Sequence, residues 1–291
     1  MNSEKNPVSR TLGVAIMASS LLMVFKFAAG WLTHSMAIMA SALDSLTDVG
    51  SSCINFFASR EAVKPPDEDH EYGHGKIESL AGLFQSLFVM ASGLYLVFEA
   101  IQRLLRGAHV DRMGVGVGAM AVSLTGTLFL VLYIRKNAAA QRSLILETES
   151  LHYSMDLLTG ASVIGALLLV RMTGLVIWDL LISLFVSAYI LWNAAKIFRR
   201  AVGELLDRSL EPELRKSIEQ TILQHDSRIV GIHNFRGRRV GERIFLDFHV
   251  EILGEKDFQR AHGLAESLVN EIKKNHPGTD VTVHYDPEGA D

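Results

Sequence analysis

Six stretches of this chain are apolar for long enough to cross a bilayer, and the remainder is not. They fall at about 11–32, 36–59, 80–105, 114–134, 148–170 and 176–198. A spanning helix needs roughly 20 mainly apolar residues. In hydrocarbon, only helices and closed barrels satisfy their own backbone polar groups. Beyond Phe198 charged residues become frequent and no run is long enough to span. The pattern predicts an α-helical membrane protein: six transmembrane helices within residues 1–207, then a cytoplasmic domain over 208–291. The first apolar stretch lacks a small-residue cleavage site behind a short apolar core, so it is expected to stay in place as a helix.

Basic residues set the orientation. With both termini in the cytoplasm, the internal segments hold Lys5 and Arg10, then Arg60, Lys64 and Lys76, then Arg135, Lys136 and Arg142, then Lys196, Arg199 and Arg200. The external loops hold only Arg103, Arg106, Arg112 and Arg171. This bias predicts a multi-pass protein of the plasma (inner) membrane with both ends cytoplasmic. The one cysteine, Cys53, lies in the second span. It excludes a disulfide within the chain and reads as a small buried residue.

Two of the spans carry paired ligands. Asp44 and Asp48 stand four residues apart in MAIMASALDSLTDVGSSCINFFAS, and His152 and Asp156 do the same in TESLHYSMDLLTGASVIGALLLV. Residues i and i+4 share one face of a helix. Isolated polar residues such as Gln85, Glu99 or Asp179 are explained by bonds between helices. Two aligned pairs are not, and ionisable groups at membrane depth mark ion paths. Four such groups from two helices fit a tetrahedral cage for a divalent cation. Three carboxylates and one imidazole suit zinc, iron(II), cadmium or cobalt, whereas an all-oxygen cage leans toward manganese or magnesium.

A second cluster lies between spans two and three, in KPPDEDHEYGHGKIES, where Asp67, His70 and His74 are close in sequence. His70-Glu71-Tyr72-Gly73-His74 also matches HExxH, the zinc-protease pattern. That chemistry needs both histidines on one helix face. Pro65 and Pro66 precede the string and Gly73 and Gly75 interrupt it, and Gly in a helix interior costs about 1 kcal/mol. A metal site in an irregular loop is the expectation.

The tail reads as αββαβ. PELRKSIEQTILQH and FQRAHGLAESLVNEIKKNH have helical patterning, while RIVGIHNFRGRRV, ERIFLDFHVEI and DVTVHYD alternate like strands. Val240-Gly241 marks a hairpin. About 80 residues make a small core, which association would help stabilise. The prediction is a ferredoxin-like α+β domain that dimerises. His233, His249, His262, His284 and Asp286 form a third ligand set. His284 and Asp286, at i and i+2, share a strand face, and His is the commonest metal ligand.

Taken together, DxxxD in span two, HxxxD in span five, the loop D-x-x-H-x-x-x-H-G-K and the His-bearing αββαβ tail resemble the cation diffusion facilitators, and among them the bacterial zinc/iron efflux branch. The resemblance runs from about Arg10 to Pro287. It implies a homodimer in the lipid bilayer that exports divalent metal in exchange for protons. Asp44, Asp48, His152 and Asp156 would be the transport site, and Asp67, His70 and His74 a loop site. His233, His249, His262, His284 and Asp286 would form cytoplasmic zinc sites. A charge interlock between membrane and soluble parts maps to Lys76 and Asp207. Tyr285 departs from the Gln that relatives often carry there, so a metal contact at that position would use its backbone. Zinc is then both substrate and bound regulatory or structural metal, and no nucleic-acid partner is expected.

Two other classes are a metalloprotease built on His70, Glu71 and His74, and a metal receptor with a membrane anchor. The first does not need ligand pairs in two other spans, and the second needs no intramembrane carboxylate. Glu71→Gln separates the classes, because a protease uses that carboxylate to activate water. Metal flux in liposomes is expected to survive this substitution almost unchanged. Loss of a metal-dependent peptide cleavage in the same variant would place the chain among the enzymes.

Overall fold

The computed structural model describes residues 7–33, 36–106, 116–175, 177–241, 243–254 and 257–287. Lys5 and Arg112, which entered the charge count, and the side chains of Arg103, Arg106, Arg171 and Asp179 lie outside the described residues. The chain divides into two compact units, Met1–Val202 and Gly203–Asp291.

The first unit is built from long helices: α1 (Pro7–Thr33), α2 (Met36–Ala62), α3 (Lys76–Arg106), α4 (Gly116–Gln141), α5 (Leu144–Thr173) and α6 (Ile177–Leu205). Among the described residues, Pro7–Leu32, Lys76–Gln102 and Leu180–Leu205 are long and apolar enough to cross a membrane. Large apolar side chains such as Leu21, Phe27, Trp31, Phe185 and Trp192 point outward. That arrangement suits a lipid solvent, where burial of apolar surface between helices is not the driving force.

α5 is the centre of this unit. On one side, Ile145, Leu146 and Tyr153 pack with Val8, Leu12 and Ala15 of α1 and with Leu130, Val131 and Ile134 of α4. On another, Leu144, Leu151 and Met155 pack with Val89 of α3 and with Ile190, Ala194 and Ile197 of α6. Packed on both sides, α5 holds Thr148, Glu149, Ser150 and His152 buried within protein.

The second unit has the predicted order: α7 (Pro212–His225), β1 (Ile229–Val240), β2 (Arg243–Ile252), α8 (Phe258–Asn275) and β3 (Thr279–Pro287). Pro212 opens α7, where a missing N–H costs nothing. The Asp257 carboxylate caps α8 by accepting from the backbone N–H groups of Gln259 and Arg260. Gly241, at φ 60°, supplies the left-handed turn between β1 and β2. β1 and β2 are antiparallel, and β3 joins β2 in parallel across the α8 connection, giving the order β1-β2-β3.

Alternation along β2 assigns the two faces of this sheet. Ile244, Leu246, Phe248, Val250 and Ile252 are buried, and they pack with Ile218 and Ile222 of α7 and Leu264, Leu268 and Ile272 of α8. The intervening residues, Asp247, His249 and Glu251 among them, face away from the helices. One face of the sheet thus makes the core, and the other is left for polar work.

Candidate functional site

α2 and α5 bring Asp48, His152 and Asp156 together. One donor atom from each lies within 4.8 Å of the others. Asp48 Oδ1 is 3.1 Å from His152 Nε2, and His152 is only 2% exposed. The fourth predicted member, Asp44, lies one turn before Asp48 on α2, is exposed, and is not part of that three-residue group.

Directly beside this group is a carboxylate that sequence reasoning missed. Glu149 stands one turn before His152 on α5 and is completely buried. Its Oε1 accepts from the Ser52 hydroxyl, and its Oε2 accepts from Asn55 Nδ2 at 2.5 Å. Ser52 Oγ also lies 2.9 Å from the Tyr153 hydroxyl. No i,i+4 ligand partner flags Glu149; the available signal was its place one turn before His152, with Ser52 and Asn55 one and two turns after Asp48. Lys26, on α1, was missed as well. Its ammonium donates to Ser45 Oγ at 2.8 Å, between the two aspartates of α2.

The loop between α2 and α3 folds around Asp67. Its Oδ1 accepts from the backbone N–H of His70 at 2.7 Å and of Asp69 at 3.2 Å. His70 Nδ1 and His74 Nε2 each lie 3.3 Å from an Asp67 oxygen, and the two rings are 4.5 Å apart. The His70 N–H, helped by the charges of the two imidazoles, holds the Asp67 carboxyl below its ordinary range. Gly73, at φ 79°, reverses the chain so that His74 returns to Asp67. The HExxH string lies wholly in this turn, ahead of α3, so the two histidines do not share a helix face. All three predicted loop residues meet as one group.

In the tail, strand register assembles the site. His233 pairs with His249, and His249 pairs with His284, so three imidazoles form a row across the sheet. Paired residues in a sheet share a face, here the face away from the helices. Asp286, two residues after His284, reaches all three: 3.0 Å to His233 Nε2, 2.9 Å to His249 Nδ1 and 3.0 Å to His284 Nε2. Its carboxyl is held below the ordinary range, chiefly by the bond from His249. Glu251, paired with Asp286, lies 3.4 Å from His233 Nδ1 and was also missed. The register break between His233 and Arg236, with Asn234 at φ 51°, interrupts the pairing just beyond the row before it resumes at Arg236.

His262 is not brought to this group. It lies on α8, exposed, stacked on Phe258. Tyr285 packs on the core side, opposite His284 and Asp286, so only its backbone faces their way. Lys76 opens α3 in the first unit, whereas Asp207 belongs to the second, where Arg238 Nη1 donates to it at 2.9 Å.

Comparison with known proteins agrees with both units. Residues 12–206 match the cation efflux transmembrane domain, and residues 210–288 match the cytoplasmic domain of cation efflux proteins. The cation-efflux pump FieF of Shewanella oneidensis is 36% identical over 276 residues, covering 94% of this chain and 92% of that protein. The cation-efflux pump FieF of Klebsiella pneumoniae is 36% identical over 283 residues, covering 97% and 94%. The metal-bound C-terminal domain of the CzcD transporter from Thermotoga maritima is 26% identical with a TM-score of 0.25, covering 27% of this chain and 96% of that domain. The chain belongs to the cation efflux family. It is a membrane transporter, not an enzyme.

The tail geometry yields a direct test. His249→Ala with Asp286→Ala removes the middle of the histidine row and the carboxylate common to it. The double variant is expected to bind fewer metal ions per chain, measured by elemental analysis of the purified protein, while flux slows without stopping. Full stoichiometry would show that this row holds no metal.

Proposed function

We propose that the chain is a proton-coupled antiporter that exports divalent transition metals from the cytoplasm, with zinc foremost and iron(II), cadmium and cobalt as further substrates. It works as a homodimer in the plasma (inner) membrane, with six spans and both termini cytoplasmic. The tail is a ferredoxin-like domain whose metal sites regulate the membrane part. The observation that carries this reading is the convergence of Asp48, His152 and Asp156 from two helices of the membrane unit.

Asp44 completes a four-ligand set when α2 brings its preceding turn to the same ion. A metal ligand must be deprotonated, so metal and protons compete for the same atoms. In an inward-facing state, cytoplasmic metal displaces protons from the carboxylates and the imidazole. In an outward-facing state, external protons displace the metal, and the inward proton gradient drives the cycle. Rocking of helices about a fixed midplane site is the general transporter solution.

The loop residues Asp67, His70 and His74 and the tail residues His233, His249, His284 and Asp286 fit zinc by donor chemistry, since imidazole and carboxylate are its preferred non-sulfur ligands. They hold it on irregular loop backbone and on sheet backbone respectively. Filling of the tail sites at high cytoplasmic metal would favour the active state, which is a coupling free energy between sites.

Asp48→Ala or Asp156→Ala is expected to abolish metal flux into liposomes under an imposed pH gradient, with the protein still folded and dimeric by size-exclusion chromatography. Wild-type flux in either variant would remove the transport-site assignment. His152→Asp is expected to shift preference toward manganese, because it replaces a borderline nitrogen with a hard oxygen. Competition between manganese and zinc in the same liposomes reads this shift, and an unchanged ratio would show that His152 does not select the ion.

A further inference from the structure

Lys26 is the one charged residue of α1 besides Arg10, near the start of that helix. A lysine in an apolar helix ordinarily extends its ammonium to the nearest interface. Here the ammonium turns across to α2 and donates to Ser45 Oγ at 2.8 Å. Ser45 is 5% exposed, directly after Asp44 and one turn before Asp48. The charge of Lys26 also acts on Asp156 across the bundle. Among the described residues, this cation is therefore held beside the proposed ligand set by a bond to a neutral hydroxyl and not by an ion pair with one carboxylate.

The charge sum explains why a cation belongs there. Asp44, Asp48 and Asp156 bring three negative charges, and a divalent metal cancels two. An uncompensated charge inside a membrane protein is costly. Lys26 cancels the third, so the four-ligand set with its metal carries no surplus charge of its own, while the neighbouring Glu149 carboxylate is satisfied separately by Ser52 and Asn55. The same ammonium repels the metal, which keeps binding weak enough for release, as any conducting site requires.

We propose that Lys26 is a fixed counter-charge that offsets the surplus negative charge of the metal-loaded aspartate–histidine set and sets its affinity for divalent cations. The inference rests on the reading of the aspartate–histidine set as the transport site. It assigns Lys26 an electrostatic task, distinct from tethering α1 to α2.

The test is zinc uptake by the full-length protein in liposomes, at mildly alkaline cytoplasmic-side pH where protons compete least. Lys26→Met and Lys26→Gln remove the charge, and Gln keeps a hydrogen-bond donor for Ser45. Both are expected to lower KM about tenfold, the order expected for losing one nearby like charge in a partly screened site. Both are also expected to lower kcat, because release slows. Lys26→Arg and Ser45→Ala keep the charge and are expected to hold KM near the wild-type value. Unchanged or raised KM in both uncharged variants overturns the proposal, as does a Ser45→Ala variant that reproduces their shift, which would make the bond a structural tie. Asp48→Ala in the same assay separates the two levels. Flux through Asp48→Ala defeats the site reading. A dead Asp48→Ala beside a wild-type KM in Lys26→Gln defeats this inference alone.

Discussion

Glu149 is a carboxylate buried completely, and the two helices that carry the proposed metal ligands meet over it. Ser52 and Asn55 of α2 both donate to it. A buried carboxylate with a missing partner would cost several kcal/mol, so the helices have one favourable register and few alternatives. Asp48 and Ser52 are one turn apart on α2, and Glu149 and His152 are one turn apart on α5. The Ser52–Glu149 bond and the Asp48–His152 contact are thus successive rungs between the same helices. A slip of one turn moves a ligand by about 5.4 Å, which would take Asp48 away from His152 altogether. The polar knot below fixes the metal-ligand geometry above.

The tail solves the same positional problem with sheet register. Alternation on β2 commits Phe248 and its neighbours to the helices, and this commits His249 to the opposite face. Strand pairing then places His233 and His284 beside it. A one-residue slip would turn every imidazole into the core and every core side chain outward. The hydrophobic pattern that stabilises the domain is therefore also what aligns its ligands, and no separate device is needed to aim them.

Which residues were legible in the sequence follows from these two devices. The i,i+4 spacing exposed Asp48, His152 and Asp156, because a helix face is a local property. Alternation and turn residues exposed the αββαβ order, and Pro65, Pro66, Gly73 and Gly75 excluded a helical HExxH. Glu149 escaped because its partners, Ser52 and Asn55, are nearly a hundred residues away and neither is ionisable. Lys26 escaped because one lysine in an apolar run resembles an interfacial anchor until its direction is known. Glu251 looked like an exposed strand residue, and only the pairing with Asp286 placed it beside His233. His262 was grouped with the other tail histidines by residue type and resemblance; its helix lies on the core side of the sheet while the histidine row lies on the other.

The three ligand groups share one arrangement, a carboxylate held by imidazole nitrogens. Asp48 faces His152, Asp67 faces His70 and His74, and Asp286 faces His233, His249 and His284. A ring nitrogen that holds an aspartate by hydrogen bonding does so with a proton, and a ring nitrogen that binds metal does so with a lone pair. Where the proton of such a contact sits on the nitrogen that would take the metal, the proposed ion and the hydrogen bond compete for the same atom. At Asp67 and Asp286 the carboxyl is held below its ordinary range, so each stays ionised further into acid than a free aspartate does. One local motif, an ionised carboxylate ringed by imidazoles, is thus the donor set that the proposed loop and tail metal sites share.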